Sequence, residues 1–413
     1  MSRPLSLHAS LLVIAFALLG PVSAQAQILG PVQGLPGVQL PRVGLPDLSS
    51  VAPGSRIDEL LRSTQALTRK LQIHALLREQ PGRVAVDPQG NPVLRGQFLA
   101  MDLTPKQLAA LQAQGFTADA TVPADVSLGL GLVVLHDTRR RSEARAMSAL
   151  QQTAPKATFS YQHVYLPAGS GDALSDEPSM TPASAATSLH VGLIDGGVDP
   201  ADPALAHAHI HDHGCAKATV SRHGTAVASR LVHGDADALY VADLWCGDAV
   251  GGATSSLVAA LAWMAREGVP VINISLVGPD NPVLARAVQV MMARGYVLVA
   301  AVGNDGPAAP PLFPAAYPGV IGVSGVDARD RVLPESGSGE QVAFCASGVI
   351  GSGRSAMRGT SFASPIVARR AAQLLSAPHP GAAAEVVQRL IGEARDLGAP
   401  GRDPRYGYGL LSP

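Results

Sequence analysis

The chain has 413 residues, 47% hydrophobic and only 15% charged, which excludes a chain disordered throughout and leaves ample apolar material for large cores. Lys and Arg number 31 against 32 Asp and Glu, a formal net charge of −1. With no basic surplus and no long run of one sign, charge gives no ground for nucleic acid or another polyelectrolyte as partner.

Residues 1–26 read as a secretory signal. Arg3 supplies a short basic region, Leu11 to Leu19 (LLVIAFALL) is apolar but too short for a full membrane span, and Ala24-Gln25-Ala26 offers a cleavage site. No other stretch is long and apolar enough to span a bilayer. The expectation is an exported chain, periplasmic or secreted, with no membrane span after signal cleavage. Residues 27–55, rich in Pro, Gly and Leu, lack periodicity and read as a flexible leader.

From Arg56 onward Ile57, Leu60, Leu61, Thr64, Leu67 and Leu71 recur at helical spacing, predicting an amphipathic helix that ends before Pro81-Gly82. Val93 to Leu103 predicts a strand, Thr104-Pro105 the start of a short helix stopped by Gly115, and Leu132 to His136 a second strand. Ser142 to Gln152 predicts a helix and Ala157 to Tyr165 a third strand. The order β-α-β-α-β makes residues 56–167 a small α+β domain. Residues 168–188 have linker composition.

From 189 to 413 the texture changes. The runs HVGLID, ALYVADL, VPVINISL, YVLVAAV and VIGVSGV are apolar at nearly every position, as parallel strands buried on both faces must be, and they alternate with helical stretches. This pattern predicts an α/β fold: an open, mostly parallel sheet with helices on both faces. In such sheets the functional groups gather beyond the carboxyl ends of the strands.

Four residues stand at such ends. Asp195 closes the first strand before Gly196-Gly197, His223 opens the helix HGTAVAS, Asn304 follows the strand YVLVAAV, and Ser361 lies in RGTSFASP, Arg358 to Pro365. Singly they read as a turn aspartate, a surface histidine, a turn former and a helix cap. Together they supply a nucleophile, a base, an orienter for the base and an oxyanion donor. No serine has glycine at both −2 and +2, so a G-x-S-x-G hydrolase is unsupported. His207, His209, His211 and His213 of HAHIHDHG would share one face of a strand, as alternate zinc ligands can, but no HExxH and no Cys pair at ligand spacing accompany them. No metal site is expected. Cys215, before the HGT helix, and Cys246, after ALYVADL, lie toward one end of the sheet, which predicts a Cys215–Cys246 bridge with Cys345 reduced; three buried thiols are the alternative.

The stretches LIDGGVD, HGTAVAS, VINISLVGP, AAVGNDGP, LFPAAYPGVIGVSGVD, GTSFASP and RYGYGLL resemble the subtilisin-like serine proteases (subtilases, S8 peptidases) and cover essentially His190 to Pro413. The order Asp, His, Ser is the known order of that family. The resemblance implies a secreted serine endopeptidase acting on polypeptides. Ser361 would attack the scissile carbonyl, His223 move the proton, Asp195 orient the imidazole, and the Asn304 side chain with the Ser361 N–H bind the oxyanion. Ser275-Leu276-Val277 and Ala301-Val302-Gly303 would line the pocket for the residue before the cut (P1) and pair with extended substrate. It also implies that residues 56–167 act as a propeptide-like intramolecular inhibitor. Their last strand (ATFSYQHVYLPAG) would run into the cleft, to be cut between Tyr165 and His190. A non-catalytic subtilisin-like binding protein is the alternative, although such proteins normally lose one of the four residues. The chain departs from the family at Gly196, where Thr or Ser is usual, at Ala226, where a second histidine is common, and at Val277, which replaces a pocket-wall glycine. The chemistry implies no required cofactor. Structural calcium is left open, because the segment after His223 is short and carries no carboxylate-bearing loop of the family's kind.

Overall fold

The structure is a computed structural model that describes residues 69–119, 128–168, 189–232, 237–351 and 356–412. The signal and leader readings, residues 56–68 of the first helix and residues 169–188 of the linker lie outside the described residues. All described residues belong to one unit, Val51–Pro413.

The N-terminal domain begins with a helix over residues 69–79 (α1) and continues through β1 (Val84–Val86), β2 (Pro92–Met101), α2 (Pro105–Ala113), β3 (Phe116–Ala118), β4 (Val133–Asp137), α3 (Glu143–Thr153) and β5 (Thr158–His163). Thr104 caps α2 in a reciprocal capping box with Gln107, which is why the helix starts at Pro105. The five strands form one antiparallel sheet in which β2 pairs with β1, β4 and β5, and β3 adds to β4. The side chains of β2 alternate. Phe98 and Ala100 pack under α2 and α3 with Leu111, Phe116, Leu135 and Leu150, whereas Leu99 and Met101 turn to the opposite face. There they join Leu257, Leu261, Leu284 and Val288, which belong to helices of the second domain. Phe98 to Met101 are therefore apolar on both faces because both are covered.

After β6 (Leu166–Pro167) the second domain contains β7 (His190–Asp195), β8 (His209–His213), α4 (Arg222–Leu231), β9 (Ala238–Asp243), α5 (Thr254–Arg266), β10 (Val271–Ile274), β11 (Leu276–Val277), α6 (Pro282–Ala293), β12 (Val297–Ala301), β13 (Ile321–Val326), β14 (Val342–Ser347), α7 (Ser364–Leu374) and α8 (Ala382–Glu393). Seven strands form a parallel sheet in the order β14-β13-β12-β10-β7-β9-β8. Val191 and Leu193 face the core under α4, α7 and α8, while Ile194, Ile272 and Leu298 face α5 and α6. This is the expected α/β sheet with helices on both faces. The strand order switches sides at β7, with β9 and β8 on one side and β10 on the other, so the carboxyl ends of the central strands open a crevice. β6 does not join the large sheet. It pairs antiparallel with β11, Pro167 opposite Leu276 and Leu166 opposite Val277.

Some elements were not among those expected from sequence. β1 and β3 have three residues each, too few for a periodic signal. β14 was not among the expected strand runs, and neither was the histidine run, which supplies the edge strand β8, in which His211 stacks on Tyr240 at 4.5 Å and His213 on Trp263 at 4.6 Å. Among the described residues no helix is long and apolar enough to cross a membrane.

Candidate active site

Asp195 ends β7 in the middle of the sheet and is 1% exposed. Its Oδ1 accepts the Gly196 N–H at 2.6 Å. His223 is the second residue of α4, whose N-cap is Ser221; the Ser221 hydroxyl accepts the Gly224 N–H at 3.1 Å. A Cβ on Gly224 would lie 2.4 Å from the Gly196 carbonyl oxygen, so only glycine lets this helix start press against the turn after Asp195. The approach brings His223 Nδ1 within 2.9 Å of both carboxylate oxygens of Asp195. A carboxylate only accepts, so Nδ1 carries the proton and Nε2 keeps a free lone pair. That lone pair faces Ser361 Oγ at 2.9 Å. Ser361 is fully buried, in the single 3₁₀ turn Thr360–Phe362 that feeds α7. At Gly196 the space for a side chain is taken by Ser221, whose Cβ would lie 2.7 Å from one, and Asp195 Oδ2 has no hydrogen-bond donor of its own.

Asn304 follows β12 and Gly303. Its Oδ1 accepts the Thr360 N–H at 3.0 Å, and the Thr360 hydroxyl accepts the Gly303 N–H at 3.1 Å. This pair of bonds fixes the amide, so that Nδ2 faces the crevice and donates to the carbonyl oxygen of Ala168. The Ala168 N–H in turn donates to the Ser275 carbonyl at 3.0 Å. The segment Tyr165–Ala168 thus lies as an added strand along β11 and ends with a peptide carbonyl on Asn304. The Ala168 methyl is enclosed by Val277, Ala301 and Leu312. Leu276 and Val302 send their side chains into the core instead and can meet the segment through backbone alone. The buried Ser275 hydroxyl accepts from Asn273 Nδ2 at 2.8 Å and reaches the Ser361 carbonyl at 3.3 Å, tying β10 to the turn that carries Ser361.

Two contributors were not foreseen from sequence: Leu312 and Arg69. Arg69 of α1 pairs with Asp305, the neighbour of Asn304, at 3.0 Å. Ala168 lies in the segment expected to run into the cleft but was not singled out, because the run from Ala168 through Gly171 has the small-residue composition of a linker. Its signal was the proline at 167, which fits an added edge strand. Cys215 and Cys246 form a disulfide that ties the end of β8 to the loop after β9, and Cys345 is a buried free thiol. Among the described residues, the one group of His, Cys, Asp and Glu close enough to share an ion is Cys215, Asp243 and Cys246, whose thiols are spent in that bridge.

A sequence profile described as the subtilase family matches residues 186–409. The minor extracellular protease Epr of Bacillus subtilis (strain 168) is 31% identical over 167 residues, covering 39% of this chain and 26% of that protein. Subtilisin DY of Bacillus licheniformis is 35% identical over 171 residues, covering 39% of this chain and 61% of that protein. The chain therefore spans less than two thirds of either relative. Fervidolysin from Fervidobacterium pennivorans, a keratinolytic enzyme related to subtilisin, has the same fold, with a TM-score of 0.64 at 17% identity over 80% of this chain and 62% of that one.

Proposed function

The chain belongs to the subtilase family, and from that premise we propose that it is an exported serine endopeptidase whose N-terminal domain is its own intramolecular inhibitor. The reading is supported most directly by a peptide carbonyl held on the Asn304 amide beside the Ser361–His223–Asp195 chain of contacts.

In this reading Ser361 Oγ attacks the carbonyl carbon of the residue before the scissile bond, and His223 Nε2 takes the hydroxyl proton. Asp195, buried and ionised, holds the imidazole by Nδ1 and stabilises the imidazolium. The negative oxygen of the tetrahedral adduct is held by the Asn304 amide and, as in the family, by the Ser361 N–H. The C–N bond breaks as His223 returns its proton to the leaving amine. Water then repeats the cycle on the acyl-serine, giving up its proton through His223 and releasing the acid. Every step uses side chains of this chain, and no cofactor is required. Extended polypeptides are the substrates, because a segment paired along β11 forms backbone bonds that a small ester cannot. The N-terminal domain occupies that place until it is cut, which spares the producing cell before export.

The test is a fluorophosphonate probe on the purified protein, together with the length of the chain it yields. Labelling that requires Ser361, and a wild-type chain shorter than that of Ser361→Ala, are the expected results. A folded wild type that resists the probe would leave a subtilisin-like binding protein instead.

A further inference from the structure

We propose that this site cleaves after a small residue, and that Leu312 with Val277 imposes that preference. The proposal rests on the peptidase reading and names its substrate class. Ala168, the residue whose carbonyl meets Asn304, is 2% exposed and packed among Val277, Ala301 and Leu312. Leu312 and Val277 close on the same point: a Cβ on Gly303 would meet Leu312 Cδ1 at 2.6 Å and Val277 Cγ1 at 3.6 Å. The space an aromatic ring on residue 168 would need is held by these two side chains, and close-packed interiors do not yield such volume freely.

The experiment compares p-nitroanilides of Tyr-Leu-Pro-Ala and Tyr-Leu-Pro-Phe on the processed enzyme and on Leu312→Gly. The first should exceed the second at least tenfold in kcat/KM, and Leu312→Gly should raise cleavage of the phenylalanine peptide above the wild-type rate. The full chain offers a second reading: Ala168→Phe should slow self-cleavage, and adding Leu312→Gly should restore it. Equal or better cleavage of the phenylalanine peptide by the wild type overturns the proposal while leaving the peptidase reading intact. Failure of every peptide together with failure of fluorophosphonate labelling overturns both.

A separate polar cluster carries a second inference. We infer that His163 is a proton-sensitive tie between the N-terminal domain and α6. Asn281 caps α6: its Oδ1 accepts the N–H groups of Val283 at 3.0 Å and Leu284 at 3.3 Å. The amide nitrogen is thereby turned toward β5, 3.0 Å from His163 Nδ1 and 3.1 Å from the Tyr161 carbonyl. An amide N–H₂ only donates, so Nδ1 accepts and the ring proton sits on Nε2, 3.1 Å from Asp87 Oδ2. The titratable groups facing the ring are Asp87 from the β1–β2 turn, Tyr161 on the same strand at 6.0 Å between ring centres, and Asp280 just before α6; α5 presents the Thr254 hydroxyl. A proton added at Nδ1 sets two donors against each other across the domain boundary. The bond to α6 is lost, whereas the bond to Asp87, inside the N-terminal domain, is kept. Burial raises the Asp87 carboxyl, but hydrogen bonds from His163 and Asn91 outweigh it and hold the group below the usual carboxylate range, so it stays charged as the imidazole gains its proton.

Acid should therefore loosen this boundary, and amide hydrogen exchange of residues 158–167 in the uncut Ser361→Ala chain reads it without reference to activity. Corrected for intrinsic exchange, protection at pH 5 should fall at least tenfold below that at pH 8. His163→Gln, which keeps hydrogen bonding but does not titrate, should abolish the difference. If that variant fails to fold, Asn281→Ala should be equally loose at both pH values. Equal protection of the parent chain at pH 8 and pH 5, or the same pH dependence in a folded variant, overturns the inference.

Discussion

The side-chain amide of Asn304 donates a hydrogen bond to the backbone carbonyl of Ala168, a residue that precedes it by 136 positions. One bond joins the end of the N-terminal domain to the end of β12, and the rest of the site is arranged around it. The Thr360 N–H holds Asn304 Oδ1, so the donor stays aimed at that carbonyl, as its proposed oxyanion role requires. Preorganisation of that kind acts in the transition state rather than on ground-state binding.

Asn304→Ala should therefore lower kcat by about 10²–10³, the loss known for this donor within the family, with little change in KM. Ser361→Ala and His223→Ala should abolish turnover and leave the circular dichroism spectrum unchanged. Steady-state kinetics on a soluble peptide checks all three, and residual turnover by Ser361→Ala would refute its role as nucleophile.

Arg83 and Asp248 form a two-pronged ion pair between the domains, at 2.7 and 2.6 Å. The hydrogen bonds from Arg83 are the main cause holding the Asp248 carboxyl down to about 2. A depressed carboxyl contributes stability that is complete above its unfolded value of about 4 and is lost as pH falls through about 2. Both side chains are nearly half exposed, so solvent screening keeps the contribution below about 1 kcal/mol. In urea unfolding of the Ser361→Ala chain, Asp248→Asn should cost this small amount at pH 7 and low salt. The difference should vanish at 1 M salt and near pH 2.

Burial pushes the Cys345 thiol up to about 12, and the residue has no exposed surface. A thiol is not a nucleophile until it ionises. Iodoacetamide at pH 8.5 should leave Cys345 unmodified in the native protein and modify it fully in guanidinium, as mass spectrometry would show. Modification of the native thiol would mean that this part of the core opens.

The bridge between Cys215 and Cys246 closes a loop of 31 residues. By loop-closure entropy its loss should cost about 3–4 kcal/mol. The double variant Cys215→Ser/Cys246→Ser should unfold at lower temperature by calorimetry yet keep the contact between His223 and Asp195. An unchanged melting temperature would show that the loop is held by its other contacts alone.

The large sheet was legible in the sequence because parallel strands buried on both faces read as unbroken apolar runs, and HVGLID and YVLVAAV are of that kind. Asp195, His223, Asn304 and Ser361 were legible for a different reason: the backbone around each is constrained, and Gly224 shows how. Where pairing is long-range the pattern is silent. β6 has two residues and takes its hydrogen bonds from β11, more than a hundred positions away, so the sequence showed it only as the tail of β5 and gave no sign of its partner. Leu312 was equally invisible. Its place beside Gly303 is set by the path of the chain between Asn304 and β13, and a leucine there reads as ordinary core.

β2 is covered on one face by α2 and α3 and on the other by α5 and α6. If the chain is cut after Ala168, as the proposed function requires, the second cover is held by contacts that can part, and the detached domain would keep a core of nine buried side chains. Leu99, Met101 and Val134 would then face water. Losing that cover would lower the domain's stability, and a chain that opens more often is cut more often by an endopeptidase. Activation of the proposed kind would thus be a ratchet: the fragment that leaves would be consumed before it could return, and the same leucine and methionine that guided assembly would condemn it.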